Sequence, residues 1–385
     1  MFVAYADPRF GGHDIHLCRT LAGLEHLDVT LVTSDLVPPR YSNYQPRKVP
    51  PAVDNNEPMK VVRVRTLVSK GEVPLSPSLI RVFSRQQFDL VHIHEFFQFD
   101  SLVAFALAKA RKKTVVLTQH GYYVPDGRAR SLLFRFITRF LGKPLLRHVD
   151  QIICLTEAQL AFLNTIEDVR HKTTIIPTGT SIPPGLNSTP VPKTGPVRLI
   201  YVGRVDSRKG LTILFNTLHR LSKALTYSLD IVGGGPDLEL YKDMATQLGL
   251  PVTFHGYVTH EQVPAFLRQA DLLVLPTLTY EPFGICLVEA LAHGVAVVGS
   301  AEGGIRTIVD DQVGLLFKKG SEVDLLGKLQ LLLADRELLS SKKQLGREKA
   351  VREYDWSMIG KRVEKVYIKG LKRKMSDPTQ LESGA

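Results

Sequence analysis

Asp271-Leu272-Leu273-Val274-Leu275-Pro276 and, a few residues on, Glu281-Pro282-Phe283-Gly284-Ile285-Cys286-Leu287-Val288-Glu289 decide how this chain is read. The first run is a short apolar strand. The second continues into Ala290-Leu291-Ala292-His293-Gly294 with helical spacing, and Gly294 is a natural stop. One carboxylate then sits at the strand-to-helix turn and the other about two turns along the helix. At about 1.5 Å of rise per residue they stand roughly 12 Å apart. That span suits the two ends of an extended diphosphate ligand. N–H groups of the first turn, near Phe283 and Gly284, are free for anions or sugar hydroxyls.

The same alternation extends outward in both directions. Strands are expected at Phe2–Tyr5, Val29–Val32, Val61–Val64, Leu90–His94, Thr114–Thr118, Gln151–Leu155 and Thr174–Ile176, with helical stretches such as 16–24, 101–112 and 132–141 between them. A run rich in Pro, Gly, Ser and Thr, 181–196, reads as a linker. Beyond it strands are expected at Val197–Val202, Ser228–Val232, Val252–His255, Leu272–Leu275, Ala296–Val298 and Gly314–Phe317. Helices are expected at 210–225, 238–248, 260–268, 283–293, 322–333 and 357–374. Strands alternating with helices predict an α/β fold of two doubly wound domains around a central cleft.

Bulk numbers agree with that plan. A chain of 385 residues, 44% apolar and 23% charged, is a globular protein too long for one ordinary core. No apolar run reaches the length of about 18 residues that spans a bilayer. Met1-Phe2-Val3-Ala4-Tyr5-Ala6-Asp7 lacks the basic region of a secretory signal. Cys18, Cys154 and Cys286 are widely spaced and match no metal pattern, which suits a reduced, cytoplasmic protein. The net charge is +11; residues 1–190 carry 23 basic and 16 acidic side chains, so +7 of it. A basic surplus suits anionic ligands, an anionic membrane or nucleic acid, or simple solubility. No basic platform interleaved with aromatics accompanies it, so nucleic acid is not expected.

Several loops carry chemistry. Gly203-Arg204-Val205-Asp206-Ser207-Arg208-Lys209-Gly210 follows a strand and opens a helix. Arg204 can grip phosphate oxygens bidentately and Lys209 adds a compact charge, the pairing a diphosphate leaving group needs; an ordinary solvated loop has the same composition. Gly233-Gly234-Gly235-Pro236 lets backbone approach a ligand or makes a plain turn. Gly11-Gly12-His13-Asp14 can offer N–H groups to a phosphate. His120, in Thr118-Gln119-His120-Gly121, ends a strand and can polarise a reacting group. His92 and His94 share one strand face, but with Glu95 they make only three ligands, and satisfied strand-end histidines fit as well. Residues 128–147 set Arg135, Arg139, Lys143 and Arg147 at steps of four beside Leu132, Phe136, Ile137, Phe140 and Leu141. This is either an interfacial helix for anionic membrane or a core helix with a solvated face. Gly142-Lys143-Pro144 is expected to break it.

Together these pieces resemble the GT-B glycosyltransferases, in particular the retaining family four that uses nucleotide-sugar donors. Gly11-Gly12, His92-Ile93-His94, Thr118-Gln119-His120-Gly121 and Ile176-Pro177-Thr178-Gly179 carry the likeness in the first half. Gly203-Arg204 with Lys209-Gly210, Gly233 to Pro236, Glu281 to Glu289, Gly303-Gly304-Ile305 and Tyr354-Asp355-Trp356-Ser357 carry it in the second. The resemblance implies two Rossmann-like domains: 1–182 on the acceptor side and 197–354 for the nucleotide sugar, with linker 183–196. It also implies a closing helix, 355–374, that crosses back to the first domain, and a polar tail, 375–385. It implies that Arg204 and Lys209 hold the donor diphosphate. Glu281 and the backbone at Phe283, Gly284 and Ile285 contact the donor sugar, and Glu289 takes the ribose hydroxyls. Gly203 and Gly234 line the donor loop, Tyr257 and Val258 border the base, Gly12 approaches phosphate, and His120 lies near the sugar. No cofactor or metal is implied; the partners are a nucleotide-sugar donor and a glycan or lipid-linked acceptor, with peripheral membrane contact. Thr178 stands where the family often has Asn, and the order His13-Asp14 leaves open which side chain serves there. An epimerase or phosphorylase on the same architecture, or a non-catalytic nucleotide-sugar-binding protein, are the rival readings.

Overall fold

The computed structural model describes residues 12–36, 48–49, 57–70, 73–121, 128–185, 195–221 and 224–375. The strand expected at Phe2–Tyr5, Gly11, the middle of the expected linker (186–194) and the tail from 376 lie outside these residues. The chain divides into two compact units, Met1–Thr178 with Trp356–Ala385, and Gly179–Asp355. No described helix is long and apolar enough to cross a membrane.

The first unit runs α1 (His13–Ala22), β1 (Thr30–Ser34), β2 (Lys60–Val64), β3 (Val68–Lys70), β4 (Val73–Leu75), α2 (Leu79–Arg85), β5 (Leu90–His94) and α3 (Phe99–Ala110). It continues with β6 (Thr114–Gln119), α4 (Arg128–Ile137), α5 (Lys143–His148), β7 (Gln151–Cys154), α6 (Glu157–Asn164) and β8 (Thr173–Ile175). Strands β5-β6-β7-β8 form a parallel sheet in that order, and β1 pairs in parallel with β2. Every residue of β6 and β7 is buried, as parallel strands covered on both faces require. Five elements were not expected: the antiparallel hairpin β3–β4 and helices α2 and α6 here, and a one-turn helix at Ile305–Ile308 and a long helix in the second unit. The first four are too short for a readable period. The expected break at Gly142-Lys143-Pro144 is corrected. The helix passes through a π-helical turn, Thr138–Gly142, and Pro144 sits in the first turn of α5, where its missing N–H costs nothing. Gly142 lies so close to the Phe96 ring that a Cβ would stand 2.7 Å from it.

The second unit runs β9 (Val197–Val202), α7 (Leu211–His219), β10 (Tyr227–Val232), α8 (Leu238–Gln247), β11 (Val252–Gly256), α9 (Val263–Leu267) and β12 (Leu272–Leu275). Then come α10 (Ile285–Ala292), β13 (Ala296–Ser300), α11 (Ile305–Ile308), β14 (Gly314–Phe317), α12 (Glu322–Ala334) and α13 (Arg336–Glu353). All six strands are parallel, in the order β11-β10-β9-β12-β13-β14. Counted from β9 this is the doubly wound order 3-2-1-4-5-6. The direction of winding reverses between β9 and β12, where such folds bind ligands beyond the carboxyl ends of the strands.

Helix α13 is the long unexpected one. Its lysines Lys342, Lys343 and Lys349 are buried. Lys343 Nζ lies 2.8 Å from the Asp271 carboxylate, which also takes Arg198 at 3.0 Å. Burial alone would raise the Asp271 pKa; hydrogen bonds from Arg198 and Lys343 outweigh it and hold the group below the usual range. A buried charge is tolerated only with such partners.

Helix α14 (Trp356–Met375) returns to the first unit. Ile359, Val363, Val366 and Tyr367 follow helical spacing and pack on Leu17, Leu21, Val116 and Ile153. Gly360 admits the close approach: a Cβ there would meet Thr20 at 2.6 Å. Ile359→Ala should cost about 2–5 kcal/mol, the usual loss for a fully buried aliphatic. Hydrogen exchange should then accelerate in β5–β8 and not in β9–β14; equal acceleration in both units would refute the anchoring role of α14.

Candidate active site

The loops after β9 and β12 meet at the reversal point. After Gly203 the chain forms one 3-10 turn, Ser207–Lys209, and enters α7 through Gly210. Gly210 has φ +73°, and a Cβ on it would stand 2.0 Å from the Pro276 carbonyl oxygen. Only glycine lets these two loops touch. The triple glycine after β10 is explained the same way. A Cβ on Gly233 would come within 1.8 Å of Gly203 O, and one on Gly235 within 2.0 Å of Val205 O. Gly234 has no such constraint; its nearest neighbour is Tyr257, at an ordinary 3.5 Å. Tyr257 is exposed and Val258 half-buried in the loop after β11.

Lys209 Nζ lies 2.8 Å from Glu281 Oε2, so the cation after β9 and the carboxylate after β12 are joined. Arg204 Nε lies 2.9 Å from Asp206 Oδ2, and Arg208 reaches the same oxygen at 3.0 Å. Burial works against the charge on Asp206, but Arg208 and then Arg204 hold its pKa below the usual carboxylate range. Asp206 therefore orients the cationic loop. Sequence reading passed it over, although an acid two residues after the arginine in a glycine-bounded loop is the available signal.

Glu281 and Pro282 are seated by a second backbone contact. Gly304 N donates to Glu281 O at 2.8 Å. A Cβ on Gly303 would stand 2.2 Å from that same oxygen, and one on Gly304 2.4 Å from Pro282 O. Phe283 is buried, its ring 6.4 Å from that of Tyr354. Gly284 caps α10 with φ +93°, leaving the first N–H groups of the helix, from Ile285, without intrahelical acceptors. One turn further, Glu289 is largely buried, and burial pushes its pKa up to about 7. His260 Nε2 approaches it at 3.5 Å.

The first unit gathers a different cluster. β5 ends in His92 and His94, β6 leads to His120, and α1 opens with His13 and Asp14 after Gly12, whose φ of +102° favours glycine. His94 Nδ1 lies 2.7 Å from both Asp14 Oδ1 and His120 Nε2, and His120 Nε2 is 3.2 Å from Asp14 Oδ1. His13 stands edge-on to His120 with ring centroids 4.8 Å apart. Its Nδ1 is 2.6 Å from Thr178 Oγ1, so the threonine at the Ile-Pro-Thr-Gly turn holds His13. Trp356 packs against His13 and His16. Of the two side chains left open by the order His13-Asp14, the acid sits on His94 and His120.

The trio His92, His94 and Glu95 does not assemble as a metal set. Both His92 nitrogens are committed, Nδ1 to Tyr367 Oη at 2.7 Å and Nε2 to Thr118 Oγ1 at 2.6 Å. Glu95 turns through φ +64° and instead accepts from the His120 backbone N–H at 3.2 Å. His13, Asp14 and His120 do place one ligand atom each within 4.8 Å of one another, a spacing that a cation can bridge. Burial drives the His13, His92 and His94 pKa values down. In His120 burial has the same sense, but Asp14 and Glu95 outweigh it and raise the pKa above the ordinary imidazole value. Of these four rings, His120 is the one whose neighbours favour the protonated form. Gln159, which no pattern in the sequence marked, fixes the turn: its Nε2 donates to His120 O and its Oε1 accepts from Leu155 N, both at 2.6 Å.

Comparison with known proteins places these features in a family. Residues 188–349 match the family model for glycosyl transferases group 1, and residues 10–182 that for glycosyltransferase family 4. A phosphatidyl-myo-inositol mannosyltransferase of Mycobacterium leprae is 31% identical over 287 residues, 73% of each chain. A glycogen synthase of Mycobacterium tuberculosis is 29% identical over 181 residues, 46% of this chain. The chain spans 44% of that relative's length. Among solved structures, Anabaena HepE in complex with UDP superposes with a TM-score of 0.74 at 17% identity, covering 95% of this chain and 98% of that one. A sucrose-phosphate synthase of Thermosynechococcus elongatus gives 0.74 at 21% identity, covering 97% and 99%. These structures share the fold: GT-B, with two Rossmann-like domains.

The Gly304 contact can be tested by itself. Gly304→Ala must displace the Pro282–Phe283 backbone and should cost about 1–3 kcal/mol in chemical denaturation, the usual penalty of overpacking. Gly327→Ala, in open space within α12, is the control and should gain up to about 1 kcal/mol. Equal stability of the two variants would show that the loop is not packed as described.

Proposed function

The chain belongs to the glycosyl transferases group 1 family, and we propose that it is a retaining hexosyltransferase drawing on a nucleotide-diphosphate sugar. The observation that carries the reading is the Lys209–Glu281 contact at 2.8 Å, made at the reversal point of a doubly wound sheet. It puts a cation for the leaving diphosphate beside a carboxylate for the sugar.

In this reading Arg204 and Lys209 bind the diphosphate. The bond between the anomeric carbon and the phosphate oxygen breaks, and the sugar becomes cation-like while the nucleoside diphosphate gathers negative charge. Arg204, Lys209 and the N-terminal N–H groups of α10 stabilise that charge where it develops. Lys209 exchanges Glu281 for phosphate as the donor enters, releasing the carboxylate to the sugar hydroxyls. The acceptor oxygen bonds to the anomeric carbon, and the proton of its hydroxyl passes to the departing phosphate oxygen. Glu289 accepts from the ribose hydroxyls, and Tyr257 and Val258 border the base. From the first unit we assign His120, charged against Asp14, to a hydroxyl of the reacting sugar, and the Gly12 backbone to phosphate. The charge of the leaving group is carried by protein groups, so we assign it no metal. The acceptor we place among glycans and lipid-linked glycans at the cytoplasmic face of a membrane. The 31% identical relative, named a phosphatidyl-myo-inositol mannosyltransferase, supports that class.

Replacing Lys209 or Arg204 with Ala should lower donor turnover by about 10²-fold or more, the scale of losing one donor to a developing anion. The melting temperature should stay near that of the parent chain, because both side chains are partly exposed. Turnover near the parent's in the folded double variant would reject the mechanism. Product analysis separates transfer to an added acceptor from epimerised donor or free sugar phosphate.

Glu289 gives a pH signature. Its carboxyl is raised to about 7, and ribose hydroxyls donate to the ionised form. Donor binding should therefore tighten as pH rises through that value, about tenfold between pH 6 and pH 8. The donor KM should follow, and Glu289→Gln should flatten the profile. A KM unmoved by pH in the parent chain would rule out the ribose role.

A further inference from the structure

We propose that the exposed face of the α4 to α5 helix is a docking surface for an anionic lipid bilayer. The proposal deepens the reading of a lipid-linked acceptor, and it rests on that reading only for its purpose. Leu132, Phe136, Phe140 and Leu141 are 47–65% exposed, though a helix with a core face would bury such residues. The first three recur every fourth residue and so share a face. The Phe136 and Phe140 rings touch at 4.5 Å and form one apolar ridge. The opposite side is already occupied: Gly142 lies against Phe96, and Leu145 and Leu146 are buried in the core of the first unit. The ridge is therefore left over after the fold is satisfied.

Charge selects the occupant. Residues 128–147 contain six basic side chains and no acidic one. Lys143 and Arg147 face Glu167, at 3.2 and 3.0 Å. Arg135 and Arg139 are exposed, each one position before a phenylalanine of the ridge, and no carboxylate among the described residues pairs with them. A protein interface tends to exclude charge from its apolar centre. Here each of the two arginines directly precedes a phenylalanine of the ridge. That pattern fits the boundary between headgroups and acyl chains, where the ring enters the apolar layer and the guanidinium stays at the phosphates.

The test is sedimentation of the full chain with vesicles of phosphatidylcholine alone and of phosphatidylcholine with phosphatidylglycerol. The chain should pellet with the second and not with the first, and added salt should weaken the association. Arg135→Gln with Arg139→Gln should lower the partition coefficient about 30-fold, the effect of two surface arginines at about 1 kcal/mol each. Phe136→Ser with Phe140→Ser should also release the chain. Circular dichroism and thermal shifts with UDP- and GDP-hexoses should stay those of the parent in both variants. No pelleting of the parent chain, or unchanged pelleting of both variants, would overturn the proposal. So would self-association that the serine variant abolishes without any lipid binding, which would make the ridge a protein interface. Pelleting by a chain that binds no nucleotide sugar would keep the docking surface and discard the transferase reading. The reverse result would do the opposite.

Discussion

The contact between Lys209 and Glu281 joins two loops that are far apart in sequence and adjacent in space. It exists because β9 and β12 are neighbours across the reversal of winding, and because Gly210 lets one loop rest on the carbonyl of Pro276. An ammonium and a carboxylate held by backbone packing need little reorganisation when a ligand replaces one of them. Such preorganisation is what stabilises a developing charge in a low-dielectric site. Four other glycines of the second unit serve the same end. Gly233, Gly235, Gly303 and Gly304 are positions where backbone meets backbone and a side chain has no room. A fold that presents cations at strand ends must first bring its loops this close.

The first unit solves a different electrostatic problem. In its cluster of His13, His92, His94 and His120, burial favours the neutral ring at every member. Asp14 and Glu95 reverse the balance at His120 alone. Two carboxylates, one at the start of α1 and one just after β5, thereby favour the protonated ring at His120 over the other three. The low dielectric that makes an unpaired charge costly makes this pairing effective.

Much of this was legible in the chain. Period-2 and continuous apolar runs located the described strands of both sheets, because buried parallel strands leave little choice of residue. Phosphate and sugar chemistry marked Arg204, Lys209 and Glu281, which sit after strands that proved adjacent. The misses have physical causes. Helix α13 hides its buried lysines, since a sequence cannot say that Lys343 meets Asp271. The hairpin β3–β4 is too short to show alternation. Gln159 acts on another loop, so its importance exists only after folding, whereas Asp206 ties the arginines of its own loop and only its spacing marks it. The glycine triplet was visible as glycine; its cause, the backbone of Gly203 and Val205, was not.

One feature of the connectivity reaches beyond the site. The second unit is whole once Asp355 has been added, but the first lacks α14 until the residues from Trp356 to Met375 follow. Ile359, Val363 and Val366 complete a core whose other half was synthesised hundreds of residues earlier. On the ribosome, then, the order of maturation is inverted. Residues 179–355 can settle while Leu17, Leu21 and Val116 stay uncovered, because α14 leaves the exit tunnel only after the whole second unit.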